Sequence, residues 1–205
     1  MPWGLAWLVF YQGNLGFLCF QDPQEDEARL RTLIYKRWPL PLNERSEKLA
    51  RSDGQAVLDY WRGKRSTLPW SVHLRGTDLE RAVWHALLEI SRGEVCSYQA
   101  IAERVGRPKA VRAVASAIGR NPVSLLVPCH RVLRKNGALG GYAWGLSCKE
   151  ALLKEESVVL GRCIIHPQKA LFAAAMLSNT QYFCYSLCLF SGLHRSVSLV
   201  LSCSF

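Results

Sequence analysis

Two unbroken apolar runs open the chain, Gly4–Phe10 and Leu15–Phe20, with Tyr11-Gln12-Gly13-Asn14 between them. Short apolar runs joined by a Gly-Asn corner read as the two strands of a hairpin. The period then changes. After the acidic break Asp22–Glu27, the residues Leu30, Leu33 and Ile34 recur at three- and four-residue spacing, which predicts a helix closed by Pro39 and Pro41. A more polar helix follows from Ser46 to Trp61, with apolar points at Leu49, Val57, Leu58 and Trp61, and Gly63-Lys64-Arg65 ends it. Ser71–Leu74 reads as a further short strand.

From Thr77 the pattern is helical. Thr77-Asp78-Leu79-Glu80 has the form of a capping box, in which the threonine accepts from an amide and the glutamate reaches back. The helix it starts carries Leu79, Val83, Ala86, Leu87 and Ile90 on one face, and Gly93 stops it. Ser97 is placed to cap a second helix, Tyr98–Val105, with Tyr98, Ile101, Ala102 and Val105 on one side. Gly106 ends that helix, and Pro108 suits the first position of the next. This third helix is predicted over Lys109–Ile118. Residues spaced ~100° apart place Ala110, Val111, Val114, Ala115 and Ile118 inward, and Lys109, Arg112, Ala113 and Ser116 outward. Helix, glycine turn, helix is the helix-turn-helix outline. Its outward face is small and basic, which suits a narrow groove better than base reading in a wide one. An ordinary helical hairpin with a solvated basic face fits the same residues.

Candidate chemistry gathers after the turn Gly119-Arg120-Asn121-Pro122. The apolar run Leu125-Leu126-Val127 leads into Pro128-Cys129-His130-Arg131-Val132. A cysteine beside a histidine offers a thiol and an imidazole that moves protons near neutral pH; a buried structural cysteine is the plain alternative. Arg131–Leu139 reads as a hairpin with an Asn136-Gly137 corner, and Gly140–Gly145 as a flexible loop holding Tyr142 and Trp144. Ser147-Cys148-Lys149-Glu150 matches a capping box again. In the helix it opens, Lys149, Leu152, Leu153 and Glu156 fall at i, i+3, i+4 and i+7. A carboxylate on an apolar stripe needs a partner, and His130 is the obvious one; a solvated helix end is the other reading.

Composition changes this picture in three ways. The 205 residues suffice for one domain or two small ones. The formal net charge of +10 suits a polyanionic partner. Cys19, Cys96, Cys129 and Cys148 stand isolated, without metal-ligand or disulfide spacing, which points to a reducing, intracellular setting. The N-terminus lacks a basic leader and begins as a strand. Beyond residue 160 the chain holds no Asp or Glu, and its apolar stretches, broken by Ser, Asn, Thr and Gln, carry no clear period. No membrane partner is expected, and this tail is read as a non-homologous extension.

With these residues in place, Arg75–Glu156 resembles the O6-alkylguanine-DNA alkyltransferases. The resemblance rests on Gly93-Glu94-Val95-Cys96-Ser97-Tyr98-Gln99, Pro108-Lys109-Ala110-Val111-Arg112-Ala113-Val114, Asn121-Pro122, Pro128-Cys129-His130-Arg131-Val132 and Gly141-Tyr142, in that order and spacing. It implies an α+β fold: a small ribonuclease H-like sheet-plus-helices domain over residues 1–74, then a mostly helical catalytic and DNA-binding domain over 75–160. Residues 161–205 remain an unassigned tail. It further implies a suicide reaction in which Cys129 takes the alkyl group from O6-alkylguanine, and also from O4-alkylthymine, in double-stranded DNA. By the same resemblance His130 takes the thiol proton through a water, Glu156 orients the imidazole, Tyr98 protonates the departing guanine, and Asn121 braces the turn. Arg112 fills the stack vacated by the flipped base, with Lys109, Ala113, Ser116 and Tyr98 against the minor groove. Val132, Tyr142, Ala143 and Trp144 line the base pocket. Trp144 is bulkier than the glycine of some relatives, which predicts a pocket favouring methyl over bulky adducts. No cofactor and no structural zinc are expected, since the methyl comes from the base and no matching Cys/His set is present. The protein is expected to be monomeric and cytoplasmic, or nuclear in a eukaryote. A DNA-binding regulator and a Cys-His hydrolase are the competing classes.

Overall fold

The computed structural model of this α+β protein describes residues 5–21, 26–37, 42–44, 47–158 and 197–204. Strands β1 (Leu5–Tyr11) and β2 (Asn14–Gln21) form the predicted hairpin, with Leu8 opposite Leu18 and Tyr11 opposite Asn14. Gln12 and Gly13, at φ +50° and +79°, turn the corner with two left-handed residues, as a two-residue hairpin turn requires. Between Leu5 and Phe10 and between Leu15 and Phe20 the strands carry no polar side chain, because both faces are covered. Ala6, Leu8, Phe10, Leu18 and Phe20 belong to the main core, whereas Trp7, Val9, Phe17 and Cys19 pack with Leu30 and Ile34 of α1 (Glu27–Arg37). The closure expected at Pro39 and Pro41 lies outside the described residues.

Two strands were not legible. β3 (Leu42–Glu44) pairs in parallel with β6 (Val197–Ser204), and β6 lies antiparallel to β1, giving the order β2-β1-β6-β3. Part of the stretch read as an unassigned tail thus supplies a sheet strand; residues 159–196 lie outside the described residues. The strand expected at Ser71–Leu74 reduces to one bridge, in which Leu15 N donates to Ser71 O and His73 N to Leu15 O. Helix α2 (Glu47–Trp61) ends on Trp61, followed by Gly63 at φ +74°.

The second half is mainly helical. α3 (Asp78–Leu88) starts at the predicted capping box: Glu80 N donates to Thr77 Oγ1 at 3.3 Å, and Thr77 N to Glu80 Oε2 at 2.7 Å. Trp84, outside the predicted apolar face, is fully buried, and its Nε1 donates to Ala117 O. Ser97 caps α4 (Tyr98–Arg104) as predicted. α5 (Val111–Gly119) begins later than its apolar pattern suggests. Ala110 N closes on Arg107 O at 2.9 Å, so Pro108 and Lys109 fall in the turn ahead of the helix.

Two further expectations are corrected. β5 (Val132–Leu133) pairs in parallel with β4 (Cys96–Ser97) instead of folding back as a hairpin. The 134–138 corner still closes through Arg134 N donating to Ala138 O. α6 (Leu146–Glu155) has Gly145, at φ +88°, as its N-cap, which puts Ser147 inside the helix with no capping bond. The box match at Ser147 is a coincidence of spacing. One buried cluster runs from Ala6 and Leu8 of β1 through Val83 and Trp84 to Val114, Cys129 and Leu152, so the two halves share a core. No helix among the described residues is long and apolar enough to cross a membrane.

Candidate active site

The turn bearing Cys129 is fixed from both sides. Upstream, Leu18 N of β2 donates to Pro122 O, and Ser124 N returns a bond to Leu18 O, tying the approach to the sheet. Leu125 is buried at φ +70°, a left-handed conformation that costs a branched residue about 1–2 kcal/mol. Burial on both sides holds it there. Val127 N then donates to Val123 O, and Cys129–Arg131 form a single 3-10 turn behind Pro128.

Asn121 organises this turn. Its Nδ2 donates to Val127 O at 2.8 Å and to Cys129 Sγ at 3.1 Å, while its Oδ1 accepts from Val123 N at 3.0 Å. Burial pushes the Cys129 thiol up, against the Asn121 hydrogen bond and the Lys149 charge. The resting group is therefore a protonated thiol that needs a base.

His130 is fully buried, with Nε2 3.1 Å from Glu156 Oε1. Glu156 is the C-cap of α6 and also accepts from Arg131, through Nε at 2.8 Å and Nη2 at 2.6 Å, and from Trp61 Nε1 at 2.8 Å. Burial alone raises a carboxyl pKa, but the His130 and Arg131 contacts outweigh it and hold Glu156 down to about 2. An ionised carboxylate only accepts, so Nε2 carries the imidazole proton. Burial lowers the His130 pKa against the pull of Glu156, which keeps the ring neutral. Nδ1 is then an unprotonated acceptor, buried and without a partner among the described residues.

Lys149 is fully buried beside this set. Its Nζ donates to Val132 O at 2.6 Å and to Leu139 O, and burial brings its pKa down to about 8 against the pull of Cys129. Tyr98 is half-buried at the start of α4, and its hydroxyl donates to Gly141 O at 3.4 Å. Gly140, at φ +68°, lies so close that a Cβ there would stand 2.9 Å from the Tyr98 hydroxyl. Val132 is fully buried in β5, and Tyr142 is half-buried, its hydroxyl beside Ser124 and Cys129 and its pKa pushed well up by burial. Ala143 is exposed. Trp144 turns its Nε1 to Ser124 Oγ at 2.6 Å, and its ring meets Phe17 of β2 edge-on at 6.5 Å.

The outward residues form a separate surface. Arg112, Ala113 and Ser116 are exposed on α5, with Lys109 exposed in the turn before it. Ser116 Oγ accepts from Arg120, which also pairs with Glu80 at 2.6 Å and so locks the end of α5 to α3. The structure thus gathers Cys129, His130, Glu156 and Asn121 around one turn. Sequence reasoning missed three residues of this set. Lys149 shared the stripe that singled out Glu156, and Arg131 was a charge inside an apolar motif, so both left a signal. Trp61, 95 residues from Glu156, left none.

The profile described as "6-O-methylguanine DNA methyltransferase, DNA binding domain" matches residues 78–158. The inducible methylated-DNA–protein-cysteine methyltransferase of Bacillus subtilis is 43% identical over 151 residues, covering 73% of this chain and 84% of that protein. The bifunctional transcriptional activator/DNA repair enzyme Ada of Escherichia coli is 38% identical over 133 residues, covering 65% of this chain. The chain spans 38% of that protein's length, and 40% of the regulatory protein Ada of Salmonella typhimurium. Among solved structures, the O6-methylguanine methyltransferase of Mycobacterium tuberculosis superposes with a TM-score of 0.60 at 33% identity, covering 76% of this chain and 88% of that one. The structure of Mycobacterium tuberculosis OGT in complex with DNA gives 0.56 at 31%, with the same coverage. The chain belongs to the methylated-DNA–protein-cysteine methyltransferase family.

Proposed function

We propose that this chain repairs DNA by moving the alkyl group, chiefly methyl, from O6 of guanine, and from O4 of thymine, to Sγ of Cys129, each molecule acting once. The observation that carries this reading is the buried Cys129, held by Asn121 and followed by an imidazole bound to an ionised carboxylate. Such a thiol needs a base, and a base oriented by a third group is the general form of an activated nucleophile. His130 Nδ1 takes the thiol proton through a water, and Glu156 balances the imidazolium. The sulfur attacks the alkyl carbon, an S–C bond forms, and the O6–C bond breaks with its electron pair left on guanine. Tyr98 donates the proton that restores a neutral base. No cofactor enters the balance, because the alkyl group comes from the lesion.

A base inside a duplex is out of reach of a buried sulfur, so the nucleotide flips into the pocket. Val132, Tyr142, Ala143 and Trp144 border that pocket. Arg112 fills the gap in the stack from the minor groove, where Ala113 and Ser116 allow a close backbone approach. Lys109 and the net charge of +10 add a salt-dependent hold on phosphates. The protein works as a monomer in the compartment that holds the DNA.

Incubation with duplex DNA carrying O6-methylguanine, followed by intact-protein mass measurement, tests the reading. A stoichiometric gain of one methyl, lost in Cys129→Ser, is expected. Binding without gain would indicate a regulator, and repeated turnover of an ester a hydrolase.

A further inference from the structure

Glu156 accepts hydrogen bonds from His130, from Arg131 twice, and from Trp61. The first two residues belong to the turn after Cys129, whereas Trp61 is the last residue of α2, in the other half of the chain. Three of these donors, His130 Nε2, Arg131 Nη2 and Trp61 Nε1, converge on the single oxygen Oε1. A carboxylate oxygen offers about two lone-pair sites, so donors to one oxygen compete. The contact is embedded in a wider seam. Arg62 pairs with Glu155 at 2.9 Å, and Arg92 lies 5.2 Å over the Trp61 ring while donating to Glu155 O.

We infer that Trp61 is a positioning residue for His130: its indole N–H holds Oε1 of Glu156 in line with the imidazole and shares that oxygen's negative charge. The first half of the chain thereby sets how tightly the site's base keeps a proton. This rests on the transfer reaction proposed above. The charged groups facing His130 are Lys149 of α6, Glu156 at its C-cap and Arg131 from its own turn, with the titratable thiol of Cys129 beside it. From α2 and the 91–94 turn, Arg62 and Arg92 face Glu155 and the Trp61 ring. Among the described residues, only Trp61 reaches the shared oxygen from outside the Cys129 turn and α6.

Trp61→Phe removes the donor and keeps an aromatic ring in the seam. With one fewer donor, Oε1 draws more strongly on the imidazolium and the His130 pKa rises. The expected shift is a few tenths to about one pH unit, the part of a charged hydrogen bond that reaches the ring. Nitrogen-15 NMR titration of His130 in the free protein reads this directly. The acid limb of the single-turnover transfer rate should move up in pH by the same amount. Arg92→Gln disturbs the seam but leaves the indole donor, and should leave both readouts in place. An unmoved His130 titration in Trp61→Phe, with only thermal stability lost, overturns the inference. Should Trp61→Phe not fold, Trp61→Met removes the same donor and is read in the same way. A wild-type protein that gains no methyl defeats the proposed function instead, while the titration still decides the role of Trp61.

Discussion

Asn121 Nδ2 stands 3.1 Å from Sγ of Cys129, and the same side chain ties Val127 O and Val123 N. One amide therefore shapes the turn and donates to the reacting atom. Asn121→Ala leaves Val123 N buried without its acceptor and takes one of two donors from Val127 O, which keeps the bond from Cys129 N. At ~1–3 kcal/mol for the unpaired amide, urea denaturation should show a loss of that size. Asn121→Asp keeps the acceptor but sets a carboxylate against the sulfur. Its single-turnover rate near neutral pH should fall at least about tenfold, with the rate recovering at higher pH, because a neighbouring negative charge raises a thiol pKa. An Asp variant with the wild-type pH profile would remove Asn121 from the chemistry.

Lys149 makes the opposite contribution. Its buried ammonium favours the thiolate and bonds Val132 O and Leu139 O. In Lys149→Met the transfer profile should move to higher pH. Stability should drop by about 1–3 kcal/mol, the cost of two unpaired carbonyls offset by loss of a buried charge. The pH dependence of folding carries its own signature. The folded pKa of about 8 lies below the ordinary 10.5, so the unfolded chain binds the proton more tightly. Buried Cys148, raised from 9 to about 12, pulls stability the other way above pH 9 in both proteins. The signature is therefore a difference: between pH 8 and 10.5 the wild type should gain stability relative to the variant as pH rises.

The parts of this design that sequence reveals are those encoded locally. The hairpin at Gln12-Gly13, the capping box at Thr77 and the cap at Ser97 each depend on residues a few positions apart. Glu156 was legible because a charge on an apolar stripe is chemically odd. What stayed hidden depends on distant backbone or side-chain pairing. β6 joins β1 across most of the chain, and Trp61 meets Glu156 across 95 residues. The start of α5 was misplaced because Pro108 fits a first helical turn as well as the tight turn it occupies. Ser147 misled for a related reason: Gly145 had already started the helix.

Acid should expose the central role of Glu156. Its carboxyl is held at about 2 against an ordinary 4.5, so the unfolded chain binds that proton first as pH falls. The contribution is complete above pH 4.5, fades through the interval, and is gone below about 2. Over the full interval it amounts to roughly 3 kcal/mol. Glu156→Gln should lose this slope in urea titrations between pH 4.5 and 2, and should also be less stable at neutral pH, where Arg131 is left buried without its counter-ion. A slope equal to that of the wild type would assign the acid sensitivity to other groups.

Trp144 bears on adduct choice through the loop it anchors. Its Nε1 bonds Ser124 Oγ at 2.6 Å and its ring meets Phe17 edge-on, so residues 140–145 are held against β2 near their end. A loop fixed in this way has little freedom to withdraw from a bulky adduct beside Tyr142, and the pocket should favour methyl over benzyl. Trp144→Gly removes both the bond and the ring contact. It should raise benzyl transfer relative to methyl by about tenfold, equivalent to ~1.4 kcal/mol in the transition state. Ser124→Ala, which removes only the hydrogen bond, should fall between that variant and the wild type. Paired single-turnover rates on O6-methyl- and O6-benzylguanine duplexes provide the measurement. Equal wild-type rates on the two substrates would sink the idea, and a Trp144→Gly ratio matching the wild type would show that the loop's anchoring does not set the choice.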